Sequence, residues 1–105
     1  MKKTALSLFI TTMSASLALA AGPSLERGGE LFKSTTLGTN GKSCATCHAA
    51  GKKLAGAAGR DEGELAAIVN QCITTMLKGK PVDPQSSDMK SLIMYIKSLT
   101  GPGQP

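Results

Sequence analysis

The pentapeptide Cys44-Ala45-Thr46-Cys47-His48 constrains this chain more than any other feature of it. Two cysteines separated by two residues present their sulfurs on one turn of backbone, matched to the two vinyl groups of a haem. A histidine directly after the second cysteine is held beneath the ring, where its imidazole points at the iron. The pattern predicts one covalent haem c per chain, with thioethers from Cys44 and Cys47 and His48 as the proximal iron ligand. Two other chemistries use related patterns. A dithiol redox pair also reads C-x-x-C, but it follows a strand and opens a helix in an α/β pattern, and nothing of that kind surrounds this motif. A zinc ion could draw on Cys44, Cys47, His48 and the third thiol, Cys72. Structural zinc sites space their ligands in two separated pairs, however, and adjacent Cys47 and His48 do not easily reach one tetrahedral ion from so short a loop.

The first twenty residues read as a targeting segment. Lys2 and Lys3 form a positive start, Ala5 to Leu19 an apolar stretch broken by Ser and Thr, and Ala18-Leu19-Ala20 a small-x-small cleavage signal. The expected division is a signal peptide over 1–20 and a single monohaem domain over 21–105. The apolar stretch is too short and too rich in Ala, Ser and Thr to persist as a membrane anchor. No cysteine follows it that could take a lipid. Haem attachment takes place outside the cytoplasmic membrane of bacteria, so signal and motif agree on a periplasmic or secreted protein.

Removal of the leader leaves 85 of 105 residues, enough for one small domain. Only two aromatic side chains remain, Phe32 and Tyr95, so the chain alone makes a marginal core and the haem is expected to complete it. Lys2 and Lys3 are two of the 12 basic residues, and the other 10 against 7 acids give a net charge of +3. Two haem propionates would bring this near +1. A charge so small, spread over scattered lysines, argues against a nucleic-acid partner and leaves a solvated surface or a rim for an acidic redox partner.

Periodicity predicts helices and no strands. Ser24 can cap a first helix running to about Lys33, with Leu25, Gly28, Gly29 and Phe32 on its inner face. Two glycines there are unfavourable for helix formation unless another helix approaches closely. Residues 34–43 form a loop that delivers the motif, with Asn40-Gly41 as a turn. The small, glycine-rich stretch 49–60 gives room for backbone to wrap a flat ring. Asp61 and Glu64 make a capping box for a second helix, about Glu62 to Leu77, with Leu65, Ile68, Cys72 and Met76 along one stripe. Gly79, Pro81 and Pro84 end it. A last helix starts near Ser86 or Ser87, carries Met89, Leu92, Ile93, Tyr95, Ile96 and Leu99, and stops at Gly101-Pro102.

This order resembles the class I cytochrome c fold, all-α, with three to four helices around one covalently bound haem. Gly28 and Phe32 stand where the family's first helix crosses its last, opposite Leu92 and Tyr95. Gly51-Lys52-Lys53-Leu54-Ala55-Gly56 resembles the family's G-P-x-L-x-G stretch, with Lys52 in the proline slot. The resemblance implies that the Lys52 carbonyl accepts the Nδ1 proton of His48, which orients the imidazole and raises its basicity.

Three sulfurs could complete the iron opposite His48: Cys72, Met76 and Met89. Cys72 and Met76 share a stripe at i and i+4, and their geometry in sequence does not separate them. Met89 falls inside the last helix and reads as core. An unpaired thiol in an oxidising compartment is a liability unless it is buried or bound, which leaves Cys72 either a structural core residue or a ligand. Gly38-Thr39-Asn40-Gly41-Lys42-Ser43-Cys44, Val69-Asn70-Gln71-Cys72, Lys78-Gly79-Lys80-Pro81, Ser87-Asp88-Met89-Lys90 and Tyr95-Ile96-Lys97-Ser98-Leu99 are similar to the haem domains of thiosulfate dehydrogenase and of the A subunit of the Sox sulfur-oxidation system. The resemblance implies that Cys72 is the distal iron ligand, with Met76 the alternative. Those enzymes commonly carry two such domains, whereas this chain has one C-x-x-C-H.

The leading reading is therefore a periplasmic monohaem carrier that passes single electrons between redox partner proteins. The first alternative is a small haem subunit of a sulfur-compound oxidising complex, alongside a second cytochrome subunit. The second is a sensor in which Cys72 leaves the iron on reduction and admits a diatomic gas. No catalytic triad, carboxylate pair or phosphate loop is present, and no catalytic residue is assigned.

Overall fold

The computed structural model describes residues 22–100 and contains four α-helices: α1 (Leu25–Lys33), α2 (Cys44–His48), α3 (Glu62–Thr75) and α4 (Ser87–Leu99). Two short 3-10 turns, Ala49–Gly51 and Ala57–Gly59, lie between α2 and α3, and there is no strand among the described residues. The expected leader over 1–20 and the Gly101-Pro102 stop lie outside the described residues.

The helix starts follow the capping residues in the sequence. The Ser24 hydroxyl accepts from the Arg27 amide at 3.1 Å, Asp61 Oδ2 from the Glu64 amide at 3.3 Å, and the Ser86 hydroxyl from the Met89 amide at 3.1 Å. Each cap satisfies one of the amides that a helix N-terminus leaves without an internal partner. At its other end α3 stops at Thr75, two residues short of the expected Leu77, with Met76 as its C-cap.

Helices α1 and α4 pack as a pair. Gly28 sits against the backbone of Ser91, where any Cβ would overlap the Ser91 carbonyl, and the rings of Phe32 and Tyr95 meet at a centroid distance of 5.2 Å with their planes tilted by 52°. The expected close approach at the glycines is thus present, with Ser91 as well as Tyr95 opposite. The Ser91 side chain is fully buried, and its hydroxyl accepts from the Ser24 amide at 3.0 Å. Leu25 departs from expectation: it is 49% exposed, because the crossing is centred on Gly28 and Phe32 and residue 25 lies a turn outside it, while Leu31 is buried instead.

Leu65, Ala66, Val69 and Ile73 of α3 close the core against α4, where Met89 and Leu92 are completely buried. Met89 is therefore core, as its place inside the last helix predicted. The face of α3 that bears Ile68, Cys72 and Met76 is turned away from this core. Ile68 is 43% and Met76 57% exposed, and Cys72 is half-buried. Helix α3 thus has two apolar faces, one spent on packing and one lining a groove.

A candidate haem site between α2 and α3

The motif itself forms α2. The Ser43 amide donates to Thr46 Oγ1 at 2.9 Å and the Thr46 amide to the Ser43 carbonyl at 3.1 Å, which ties the first turn of this short helix together. Thr46, one of the two residues between the cysteines, thereby stabilises the turn that sets the spacing of the two sulfurs. Cys44 is half-buried and Cys47 exposed. After His48 the backbone turns sharply, with Ala50 in the left-handed region at φ 55°. This reversal brings the Lys52 carbonyl to 2.8 Å from His48 Nδ1. A carbonyl can only accept, so Nδ1 carries the proton and Nε2 keeps its lone pair for a metal. The hydrogen bond implied for Lys52 is present although the residue is not proline.

Opposite this ring stands the outer stripe of α3. A cavity of about 190 Å³ is lined by Phe32, Cys44, His48, Leu54, Ile68 and Cys72, among others. It adjoins a second of about 210 Å³ that reaches Cys47, Met76 and Leu77, and shares Cys44, His48, Lys53 and Cys72 with it. A third, of about 200 Å³, continues through Leu54, Ile68, Val69 and Ile96 to Arg60. Together they form one groove with thiols at one end, an imidazole and apolar side chains along it, Arg60 at the other end and Lys53 beside all three cavities. This lining suits a flat, mainly apolar iron-bearing ring whose carboxylates lie at one edge.

The groove gathers all three thiols into one region. Burial pushes the Cys44 thiol up to about 11, and the neighbouring Cys72 adds to the rise. Cys72 is raised as well, by burial first and by Cys47 second. Both shifts keep Cys44 and Cys72 protonated at neutral pH, and none of the three thiols is paired in a disulfide. Among the described residues no three of His, Cys, Asp and Glu are grouped closely enough to hold a metal ion between them.

The structure brings Cys44, Cys47, His48, Cys72 and Met76 together around this groove. The first-described cavity holds Cys72 with Cys44 and His48, while Met76 reaches only the neighbouring one. Three further residues matter that sequence reasoning passed over. Asn70 binds the backbone of Val82 through both ends of its amide, at 2.8 and 2.7 Å. The Asn40 amide nitrogen donates to the Met76 carbonyl at 2.9 Å, and the Thr39 hydroxyl to the Lys78 carbonyl at 2.7 Å. Asn40-Gly41 signalled a turn, and Gly41 has the left-handed φ of 76° that such a turn uses, but a bond to a residue 36 positions away leaves no local trace.

No helix among the described residues is long and apolar enough to cross a membrane. No curated protein and no solved structure matches the chain. A family model described as the cytochrome c domain of SoxA/TsdA matches residues 27–101.

Proposed function

Because the chain belongs to the SoxA/TsdA cytochrome c domain family, with haem c as its cofactor and electron transfer as its activity, we propose that it is a periplasmic carrier with one haem per chain and His48 and Cys72 on the two faces of the iron. The haem supplies one-electron redox chemistry. Cys44 and Cys47 hold it by thioethers at the end of the groove nearest the exposed Cys47. His48 presents Nε2, its ring fixed by the bond from Nδ1 to the Lys52 carbonyl. The apolar side chains Phe32, Leu54 and Ile68 exclude water around the site. The exposed motif end gives a partner protein an approach for electron exchange. A leader over 1–20 supplies the periplasmic address.

The observation that favours Cys72 is burial: both sulfurs share a cavity with Cys44 and His48, but Cys72 lines the adjoining cavity as well and is half-buried, while Met76 lies a turn farther on and is 57% exposed. A thiolate donates negative charge to iron and favours Fe(III), so a His/Cys centre has a lower potential than a His/Met one. Cys72→Met exchanges an anionic for a neutral ligand and should raise the midpoint potential by at least on the order of 100 mV, whereas Met76→Ala should leave it nearly unchanged. Potentials of the parent and both variants, with Fe(III) spectra, decide the matter. An unshifted Cys72→Met protein together with a disrupted Met76→Ala spectrum gives the role to Met76.

A second reading is favoured by the family match over 27–101: service as the haem subunit of a sulfur-compound oxidising complex, with another cytochrome subunit as its partner. Thiosulfate-dependent reduction of the haem by the purified protein, alone and with candidate partners, separates the two. Reduction by thiosulfate would favour the complex; electron exchange only with other redox proteins favours the carrier.

A further inference from the structure

The last carbonyls of a helix lack partners within it and take them from water, a following glycine or side chains. At the end of α3 the Cys72 carbonyl accepts from the Met76 and Leu77 amides, and the segment that follows, residues 76–78, takes its partners from a single distant loop. The Met76 carbonyl accepts from Asn40 Nδ2 at 2.9 Å, the Leu77 carbonyl from the Thr39 amide at 2.9 Å, and the Lys78 carbonyl from the Thr39 hydroxyl at 2.7 Å. Lys78 is left-handed, with φ 58°, and the Gly79 amide turns back to the Ile73 carbonyl at 2.9 Å. The two segments lie backbone to backbone: a Cβ on Gly38 would overlap the Leu77 carbonyl, and one on Gly79 the Leu37 carbonyl. Asn40 also reaches the other way, its Oδ1 accepting from the Lys42 amide at 3.2 Å, two residues before Cys44.

We propose that Thr39 and Asn40 are positioning residues for the sixth iron site, fixing the turn of α3 that bears Cys72 and Met76 at a set distance from the haem-attachment motif. The inference rests on reading this end of α3 as the source of the sixth ligand. Ile73 and Leu77 are buried and anchor this turn in the core, but the two residues on its groove side are less held, Met76 being 57% exposed and Cys72 half-buried. The hydrogen bonds from residues 39 and 40 add to that packing on the groove side and set how readily residues 76–78 swing away from it. Loss of a hydrogen bond from this clamp raises the population of the open arrangement, by about fivefold per bond.

The test uses the holoprotein and carbon monoxide, which binds Fe(II) only after the sixth ligand has left. Asn40→Ala and Asn40→Asp each remove the donor to Met76; the Asp variant keeps the acceptor for Lys42 and nearly the same shape. Thr39→Val removes the hydroxyl and keeps the backbone bond to Leu77, while Thr39→Ser preserves both. The expected result is carbon monoxide binding about fivefold faster in Asn40→Ala, Asn40→Asp and Thr39→Val, with Thr39→Ser at the parental rate. Rates within about twofold of the parent in Asn40→Ala and Thr39→Val, alongside lowered denaturation midpoints, would show a purely structural role and overturn the proposal. If Asn40→Ala fails to accumulate, Thr39→Val against Thr39→Ser carries the same decision. An unchanged Fe(III) spectrum in Cys72→Ala overturns the assignment of Cys72 alone, because Asn40 holds the carbonyl of Met76 itself and the clamp is still judged by the carbon monoxide series.

Discussion

Asn70 is paired with Val82 at both ends of its side-chain amide, donating from Nδ2 to the Val82 carbonyl and accepting the Val82 amide on Oδ1. It sits two residues before Cys72 and ties the segment between α3 and α4 back onto α3. The link is part-buried, so removing it strands a backbone donor and a backbone acceptor together. Asn70→Ala is expected to destabilise the holoprotein by about 1–3 kcal/mol. The urea midpoint followed by far-UV circular dichroism measures it, and a midpoint equal to the parent's would contradict the pairing.

Lys52→Pro should be tolerated. Lys52 already has φ −55°, close to the angle proline imposes, and Gly51 before it, at φ 81°, is free of the restriction that proline places on its predecessor's side chain. The carbonyl that His48 uses is retained. One bond is lost, from the Lys52 amide to the Ala49 carbonyl at 3.1 Å, against a smaller entropy in the unfolded chain. The net change is expected to stay within about 1 kcal/mol, with an unaltered Fe(III) spectrum. A changed spectrum would mean that the Lys52 carbonyl does not orient the ring as described.

Gly28→Ala should separate α1 from α4. The added methyl has no room against the Ser91 carbonyl, and the obstacle is backbone rather than a side chain that could turn aside. Overpacking of this kind typically lowers stability by about 1–3 kcal/mol. Gly22→Ala, where no atom lies within 4 Å of the new methyl, is the matched control and should leave the thermal midpoint unchanged.

Cys47→Ser or His48→Ala should prevent maturation. The first removes one thioether and the second the proximal bond, and a core with Phe32 and Tyr95 as its only aromatic side chains among the described residues is too small to hold without the haem. Haem staining after denaturing electrophoresis checks this. Normal amounts of correctly ligated holoprotein from either variant would remove the basis for assigning these residues.

The sequence by itself determined what depends on neighbours in the chain. The motif at 44–48 is local, and so are the caps at Ser24, Asp61 and Ser86, whose side chains reach amides three residues on. The His48–Lys52 bond spans four positions and was legible through the resemblance of residues 51–56. Tertiary structure decided the rest. Periodicity put Leu65, Ile68, Cys72 and Met76 on one stripe, but only the packing of α4 against α3 made Leu65, Val69 and Ile73 core and left Ile68, Cys72 and Met76 on the groove. Leu25 was assigned inward by the same periodicity and is exposed, since the crossing point on α4 is a property of two helices and not of one. The bonds from Thr39 and Asn40 to residues 76–78 join segments that are far apart in sequence. Their geometry exists only once the chain has closed on itself, because a polar side chain in a loop has no periodicity from which its partner can be read.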